Sequence, residues 1–328
     1  MTTYKEINGT NIEVLASDPS NPVIGQIWYN TTSQSLKGLE FSAEAWSTGG
    51  NLPVGAEQLG GAGTQTAGLS IGGYAAPGFL NTSSEYNGSA WTAGGTMTNT
   101  RFANSGTGLQ TAALAIAGYS PTDAVEEYNG SAWTAGGALN TGRRGTASCG
   151  IQTAALTFGG SPTVGPEGTS TEEYNGTAWT AGGALPISKR YMAACGTQTA
   201  GLGVGGKPET VPTGTTSTEE YNGSAWTAGG TLNTSRKYAA GCGTQTAGFV
   251  FGGSDASSAT GVTESYNGTS WTTSPSSLNV ARQRLASATN GTQTSALAFG
   301  GLDLDNVKSN STEEFSEGGP ATVTISGS

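Results

Sequence analysis

The chain has 328 residues, of which 54 are glycine, about one in six where roughly 7% is ordinary. Hydrophobic residues make up 34% and charged residues 11%, yet 7 Trp, 11 Tyr and 8 Phe are present, which favours a turn-rich all-β fold over a disordered chain. The net charge of −10 argues against binding to nucleic acid, and the lack of histidine argues against most hydrolytic and metal-dependent chemistry.

Residues 1–38 differ from the rest of the sequence and are predicted to form a short N-terminal β-hairpin segment. The first residues lack the apolar core of a signal peptide, and no apolar run is long enough to cross a bilayer. We therefore expect a protein that is made in a cytosol and does not insert into a membrane.

The remainder, 39–328, is built from six repeats of about 45 residues. Each repeat has a tryptophan, and five of these end the string Tyr-Asn-Gly-Ser/Thr-Ala/Ser-Trp. The tryptophans are Trp46, Trp91, Trp133, Trp179, Trp226 and Trp271. Each repeat also has a glutamine that is followed eight residues later by glycine. The glutamines are Gln65, Gln110, Gln152, Gln198, Gln245 and Gln293.

Four strands, named A to D, are predicted in each repeat. Strand A carries small residues before the glutamine, and strand B follows it with apolar residues at a period of two. Strand C ends in Glu-Tyr, an Asn-Gly hairpin turn follows, and strand D begins at the tryptophan. Antiparallel repeats of this length predict a six-bladed β-propeller. Either the segment around Trp46 or residues 321–326 would complete the last blade.

The length of the B–C connection varies between repeats, whereas the A–B and C–D turns are constant. In an up-and-down blade this places all the variation on one face, where we expect binding, although neutral drift in unconstrained loops would give the same pattern. The candidate contacts in the B–C loops are Tyr74, Phe79, Tyr119, Asp123, Lys207, Glu209, Asp255, Asp303, Asp305 and Lys308.

A cation lies nine residues before the glutamine in five repeats, and the first repeat has Ala56 there. The five cations are Arg101, Arg143, Lys189, Arg236 and Arg284. One interpretation is a basic ring at the mouth of a central channel that holds an anionic group. The other, which we favour, is structural, with each cation bonded to loop carbonyls between blades. The glutamates directly before the tyrosines are expected to be too far away to pair with them.

Three further patterns have structural interpretations. Cys149, Cys195 and Cys242 share one repeat position with Ala, Thr and Asn, which indicates small packed residues that form no disulfide. The Asn-Gly-Ser/Thr strings match glycosylation sites, but the hairpin turn already requires Asn-Gly. No phosphate-binding motif or metal-ligand set is present, so no cofactor is expected and no catalytic residue is assigned.

The repeats resemble those of kelch propellers. The likeness rests on an apolar strand that ends in Gly252-Gly253 and on Glu264, Tyr266 and Trp271, and it extends over 39–328. The gap between tyrosine and tryptophan is shorter than in that family. The strings Tyr-Asn-Gly-Ser-Ala-Trp and Gly-Thr-Gln-Thr-Ala are similar to repeats of bacteriophage structural proteins. Residues 21–32 look like a short hairpin module of phage tail and tail-fibre proteins.

These resemblances imply a virion component such as a tail fibre or appendage, made in the host cytoplasm and not an enzyme. Residues 1–38 would dock to other virion proteins and be dispensable for folding of 39–328. The B–C loops would bind a host-surface glycan or protein, or another virion protein, with several copies per particle adding avidity. Two alternatives are a polysaccharide-degrading propeller, with carboxylates such as Asp303 and Asp305 or with Tyr119 and Asp123, and a kelch-type protein–protein adaptor.

Overall fold

The computed structural model describes residues 12–119, 123–162, 168–255 and 258–325, and every regular element in these ranges is a β-strand. Residues 1–11 of the predicted attachment segment lie outside the described residues. The chain divides into two compact units, Met1–Ala45 with Glu317–Ser328, and Trp46–Ser316. This division falls after Ala45, whereas the sequence placed the domain boundary after residue 38.

The first unit contains one four-stranded sheet. Its strands, in sheet order, are β1 (Glu13–Leu15), β2 (Ile27–Asn30), β3 (Ser35–Phe41) and β33 (Pro320–Thr324). Strands β2 and β3 form an antiparallel hairpin, and β1 pairs with β2 in parallel. The Trp28 indole is fully buried and donates to Asp18 Oδ1 at 2.9 Å, and Asn30 donates to the same oxygen at 2.7 Å. These two hydrogen bonds lower the pKa of Asp18.

The second unit contains six sheets, one for each repeat, whose strands A to D are antiparallel neighbours in that order. The strands of sheets 1 to 3 are β5 (Gly60–Thr64), β6 (Ala67–Ile71), β8 (Gly78–Tyr86) and β9 (Trp91–Arg101); β10 (Ser105–Leu109), β11 (Ala112–Ile116), β12 (Val125–Tyr128) and β13 (Trp133–Ala135); and β15 (Ala147–Ile151), β16 (Ala154–Phe158), β18 (Thr171–Tyr174) and β19 (Trp179–Ala181). Those of sheets 4 to 6 are β21 (Ala193–Gly196), β22 (Gly201–Val204), β24 (Thr218–Tyr221) and β25 (Trp226–Ala228); β26 (Ala240–Thr244), β27 (Ala247–Phe251), β28 (Thr263–Tyr266) and β29 (Trp271–Thr273); and β30 (Ala286–Ser287), β31 (Ser295–Phe299), β32 (Thr312–Ser316) and β4 (Ala45–Thr48).

Short strands also join the segment before strand A to the start of the B–C loop. They are β14 (Arg143–Arg144) with β17 (Ser161–Pro162), and β20 (Lys189–Arg190) with β23 (Lys207–Pro208). Isolated bridges make the same connection in sheets 1, 5 and 6: Glu57 to Tyr74, Lys237 to Ser254, and Gln283 to Leu302. In sheet 1, Tyr74 belongs to the short strand β7 (Tyr74–Ala75), which pairs with β8. These pairings hold the root of each B–C loop.

The fourth strand of the sixth sheet is β4, which lies beside β32 although it precedes the strands of the other five sheets in the sequence. Trp46 therefore completes this sheet, while Thr322 and Val323 pair with β3 in the other unit. This decides between the two alternatives that the sequence left open. The result is an all-β, β-propeller-like fold of antiparallel four-stranded sheets.

The A strands of all six sheets surround one narrow cavity of about 110 Å³. They lie so close together that a Cβ added to Gly106 would come within 2.7 Å of the Gly61 carbonyl oxygen. The small residues of strand A are therefore required where these strands approach one another.

One residue just before each strand A has a positive φ and takes part in a ring of backbone hydrogen bonds. Each N–H donates to the carbonyl of the equivalent residue in the preceding sheet at 2.8 to 3.1 Å, and the first residue donates to the last. We call these six residues the mouth ring: Gln58, Ala103, Gly145, Tyr191, Tyr238 and Arg284. The left-handed backbone costs non-glycine residues about 1–2 kcal/mol each, and the ring bonds offset it.

The repeated glutamine and tryptophan join each sheet to the one before it. Every glutamine amide donates to two backbone carbonyls of the preceding sheet, as Gln110 does to Gly68 and Tyr86 at 2.9 and 2.7 Å. In the same direction, Trp226 donates to Thr171 Oγ1 at 2.9 Å. The remaining glutamine donors are Gln65, Gln152, Gln198, Gln245 and Gln293.

The tyrosine that ends strand C makes a third contact between sheets, which we call the tyrosine latch. Tyr221 donates its hydroxyl proton to Glu173 of the preceding sheet at 2.6 Å and accepts the Gly183 N–H at 3.3 Å. Tyr86, Tyr128, Tyr174 and Tyr266 make the equivalent pair of contacts. Each acceptor glutamate directly precedes the strand C aromatic of its own sheet, as Glu173 precedes Tyr174 and Glu314 precedes Phe315.

The seam between sheets 5 and 6 lacks this latch, and all three of its parts are replaced together. Phe315 stands where the tyrosine would be, Ser265 replaces the glutamate, and Pro275, which has no N–H, replaces the glycine. The Phe315 ring packs instead against Trp46 and Phe249, with centroid distances of 5.3 and 4.6 Å. An apolar contact therefore substitutes for the polar latch at this one seam.

We predict that Tyr221→Phe lowers the free energy of unfolding by about 1.5–3 kcal/mol, because a hydrogen bond to a charged carboxylate is lost. The matched reverse change is Phe315→Tyr, which adds a hydroxyl where Ser265 and Pro275 provide no latch partner. We expect it to destabilise the protein as well. Urea unfolding measures both, and a stabilising Phe315→Tyr would contradict this account of the seam.

A second prediction concerns alkaline pH. Burial, followed by the hydrogen bond to glutamate, raises the pKa of Tyr86, Tyr174 and Tyr221 from 10.0 to about 12. Because the folded state holds these protons more tightly, their stabilisation is complete below pH 10 and is lost as the pH rises towards 12. Urea unfolding at pH 9, 10 and 11 is expected to show a shallower decline for Tyr221→Phe than for wild type, and equal declines would count against the latch.

Candidate ligand-binding face

The cations predicted as a possible basic ring are buried, so that interpretation is wrong for four of the five. Arg101, Arg143, Lys189 and Arg236 are each at most 1% exposed. Each bonds to the end of strand B, to the B–C loop or to strand C of the sheet whose strand A follows it. Arg236, for example, donates to the carbonyls of Gly252 and Val262 at 3.0 and 2.8 Å. Contacts to loop carbonyls agree with the structural interpretation, but only Arg101, which ends β9 of the first sheet, makes them to a neighbouring sheet.

Each of these cations also forms an ion pair with a glutamate two residues before the end of strand C. Arg101 pairs with Glu126 at 2.8 Å, and Arg236 pairs with Glu264 at 2.5 Å. The other pairs are Arg143 with Glu172, Lys189 with Glu219, and Arg282 with Glu313. Burial lowers the pKa of Lys189, and Glu219 opposes this change.

The sequence analysis missed these partners because it considered the neighbouring glutamate. Glu127, next to Glu126, points to the other side of the strand and serves the tyrosine latch. Strand C has only four residues in this sheet, about 13 Å, so a long arginine side chain can reach it from the far end. A signal was available, since a glutamate stands two residues before the strand C aromatic only in the repeats that carry the cation.

The first repeat lacks both members of the buried pair. Ala56 occupies the position of the cation, and Ser84 occupies the position of the glutamate. A cavity of about 220 Å³ is present there, lined by these two residues and by Leu52, Leu59 and Leu80 among others. The paired loss shows that the two charges depend on each other, as expected for buried ions.

Arg284 does not belong to the buried set. The last repeat has two more residues between its buried cation and its glutamine than the other repeats have. Counting nine residues back from Gln293 therefore reaches Arg284, two residues after the equivalent position. Arg282 is the buried equivalent, whereas Arg284 is a mouth-ring residue whose side chain is 31% exposed. It donates to Glu57 Oε2 at 2.7 Å.

Three of the predicted contact residues come together with one that was not predicted. Phe79 stacks on Phe102 with ring centroids 5.0 Å apart, and Tyr74 and Tyr119 contact both rings edge-on. We call these four side chains the aromatic cluster. Phe79 is 38% and Tyr119 47% exposed. Phe102 was missed because it precedes strand A and lies outside any B–C loop.

Cations flank the aromatic cluster. The Lys308 Nζ lies 4.5 Å from the centroid of Tyr74, and the Arg144 guanidinium carbon lies 5.0 Å from that of Tyr119. Glu57 lies between the cluster and the mouth ring, since it pairs with Arg284 and is 3.9 Å from Lys308. Phe102, Arg144 and Glu57 each directly precede a mouth-ring residue, which places the cluster beside that ring.

The mouth ring carries a second group of aromatic and basic side chains. Tyr191 and Tyr238 have centroids 4.3 Å apart, and the Arg284 guanidinium lies 4.9 Å from the Tyr238 ring. Burial lowers the pKa of Lys237, and the positive charge of the predicted Lys207 nearby lowers it further. Burial raises the pKa of Tyr238 to about 12.

The other predicted contacts are dispersed over the loops. Asp123, Glu209 and Asp305 are exposed, and Asp255 and Asp303 are half-buried. Asp303 accepts the backbone N–H groups of Asp305 and Val307 at 3.0 and 2.8 Å, which accounts for this carboxylate as a turn former.

Cys149, Cys195 and Cys242 are free and buried. Burial raises the pKa of Cys195 to about 12. Within the described residues no group of three or more Cys, Asp or Glu could hold a metal ion, and no helix has the length and hydropathy to span a bilayer.

We predict that Arg236→Ala lowers the free energy of unfolding by about 3–5 kcal/mol, because Glu264 is left as an unpaired buried charge. The double change Arg236→Ala with Glu264→Ser copies the first repeat and is expected to recover part of that loss. Chemical denaturation of the two single variants and the double variant gives the coupling energy. Additive losses would show that the charges are independent.

In searches of known proteins, no family model matches this chain, and no curated protein matches it either.

Proposed function

We propose that this chain is a non-enzymatic binding component of a bacteriophage virion, built as a six-bladed kelch-type β-propeller. In this proposal the six sheets are the blades, and the first unit docks the protein to other virion proteins. The face that holds the B–C loops and the mouth ring binds a host-surface molecule or another virion protein. We call it the B–C face.

The six-bladed reading is supported by contacts that return from the sixth sheet to the first. Gln58 N–H donates to the Arg284 carbonyl at 2.8 Å, and Trp91 donates to Thr312 Oγ1 at 2.8 Å. Gln65 donates to the Ala296 carbonyl at 3.3 Å. Closure in this way covers the faces of the first and sixth sheets that would otherwise be exposed, and leaves only short strand edges.

The single observation that carries the binding proposal is the aromatic cluster on the B–C face. Residues that recur in the repeats are used for contacts between or within sheets, whereas Tyr74, Phe79, Phe102 and Tyr119 depart from the repeat pattern and still gather in one place. Partly exposed aromatic groups flanked by cations are typical of the energetically important part of an interface.

The virion setting is supported by the resemblance of the repeat strings and of residues 21–32 to phage structural proteins. A rigid scaffold that presents divergent loops suits attachment, because loop changes are tolerated where few scaffold contacts depend on them. Several copies on one particle would strengthen weak binding by each propeller.

Two experiments test the setting and the face. Mass spectrometry of purified particles from the host culture is expected to find the chain, and its absence there would refute the virion role. Purified protein is expected to compete with particles for adsorption to host cells or to bind the particles themselves. Release of sugar from host polysaccharide by the purified protein would instead support an enzyme.

We predict that Tyr119→Ala or Phe79→Ala weakens this competition by about 30-fold, the loss of roughly 2 kcal/mol typical of a central interface aromatic. The matched control is Ile151→Ala, because Ile151 is also 47% exposed but lies at the end of β15 beside an A–B turn. An equal effect of the control variant would show that the B–C face had been chosen wrongly. Thermal melts check that all three variants are folded.

A further inference from the structure

The mouth ring encloses a cavity of about 90 Å³ that is lined by all six ring residues, by Asn104 and by apolar side chains such as Met192 and Leu285. Unlike the aromatic cluster, this cavity includes polar and charged groups whose hydrogen bonds are incomplete. It therefore has a chemistry of its own.

Two buried amide oxygens line this cavity without a hydrogen-bond partner among the described residues. They are Gln58 Oε1 and Asn104 Oδ1, on side chains that are 9% and 6% exposed. The Arg284 Nε is likewise without a partner there. Because an unsatisfied buried polar group costs about 1–3 kcal/mol, a ligand that supplies two donors and one acceptor would recover this free energy.

The cations around the cavity favour a negatively charged ligand. Lys207, Lys237 and Arg284 lie close together in a chain whose net charge is −10. Burial lowers the pKa of Lys237, and the positive charges of Lys207 and Arg284 lower it further. Arg190 lies 5.3 Å from the Tyr191 ring centroid. Among the carboxylates of this face, Glu57 pairs with Arg284, while the others lie on the B–C loops: Asp123, Glu209, Asp255, Asp303 and Asp305.

Hydroxyl groups satisfy amide oxygens by donating, and a carboxylate satisfies arginine by accepting, often through two parallel bonds. The cavity accommodates the hydroxyl-bearing edge of a sugar ring, which reaches Gln58 and Asn104, while the carboxylate remains at the rim beside Arg284 and Lys237. Inorganic phosphate would meet the charge requirement, but the hydrogen phosphate dianion has a single hydroxyl donor for the two amide oxygens.

From this combination we infer that the mouth ring binds an acidic sugar residue, with its carboxylate toward Arg284 and Lys237 and its hydroxyls toward Gln58 and Asn104. This rests on the proposed function in so far as it names the chemistry of the host-surface molecule that the B–C face binds. An acidic surface polysaccharide supplies such residues repeatedly, which suits multivalent attachment.

The test titrates full-length protein with D-glucuronate, D-glucose and inorganic phosphate as probes, using calorimetry or NMR. Glucuronate is expected to bind with an affinity that weakens as salt rises, and at least tenfold more tightly than glucose or phosphate. Arg284→Gln and Gln58→Glu are expected to weaken glucuronate binding at least tenfold. The matched control Arg144→Gln removes the same charge from the same face beside Tyr119 and is expected to change it less than twofold.

Two binding results overturn the inference. If phosphate binds as tightly as glucuronate, the sugar hydroxyls contribute nothing, and if glucose does, the negative charge contributes nothing. If folded wild-type protein does not bind glucuronate, the site is refuted. The proposed binding face still stands in that case if Tyr119→Ala abolishes the competition of the purified protein with particles for adsorption. Conversely, glucuronate binding by a protein that is absent from particles keeps the site and refutes the virion role.

Discussion

The contacts between successive sheets are the constraint on which this structure depends. A sheet of four strands with two to five residues in most of them buries too little apolar surface to be stable alone. Each sheet therefore relies on its neighbour, as repeats do in other repeat proteins. The glutamine and tryptophan of every repeat reach toward the preceding sheet, and a tyrosine does so in five repeats, so the repeated sequence itself supplies the contacts between sheets.

Departures from the repeat occur in matched sets, and this separates structural residues from binding residues. Ala56 and Ser84 replace a buried ion pair together, and Ser265, Pro275 and Phe315 replace a latch together. Such paired loss is expected where one partner left alone would be a buried unsatisfied group. By contrast, the mouth-ring residues differ from repeat to repeat with no matched change elsewhere: Gln58, Ala103, Gly145, Tyr191, Tyr238 and Arg284.

The B–C face follows from the same construction rules. The segment before strand A carries a buried cation, then a side chain that faces outward, then a mouth-ring residue with a left-handed backbone. Arg143, Arg144 and Gly145 illustrate the three positions. Five of the thirteen lysines and arginines of the chain are used for the buried pairs, whereas Arg144, Arg284 and Lys308 contact aromatic rings.

The sequence by itself determined the number of repeats, the strands and turns within each one, and the face on which loop length varies. Local patterns suffice for these features, because Asn-Gly turns and period-two apolar strands depend on neighbouring residues only. Tyr74, Phe79 and Tyr119 were identified as candidates from loop position alone.

Only the tertiary structure decided which side chains meet. The choice of Glu126 over Glu127 as the partner of Arg101 depends on which side of a strand each faces and on how the next sheet packs. Arg282 was not predicted, because the nine-residue spacing between cation and glutamine does not hold in the last repeat, where this segment is two residues longer. Phe102, Asn104 and Gln58 join the candidate sites through contacts between sheets that are distant in sequence, and no local pattern records such contacts.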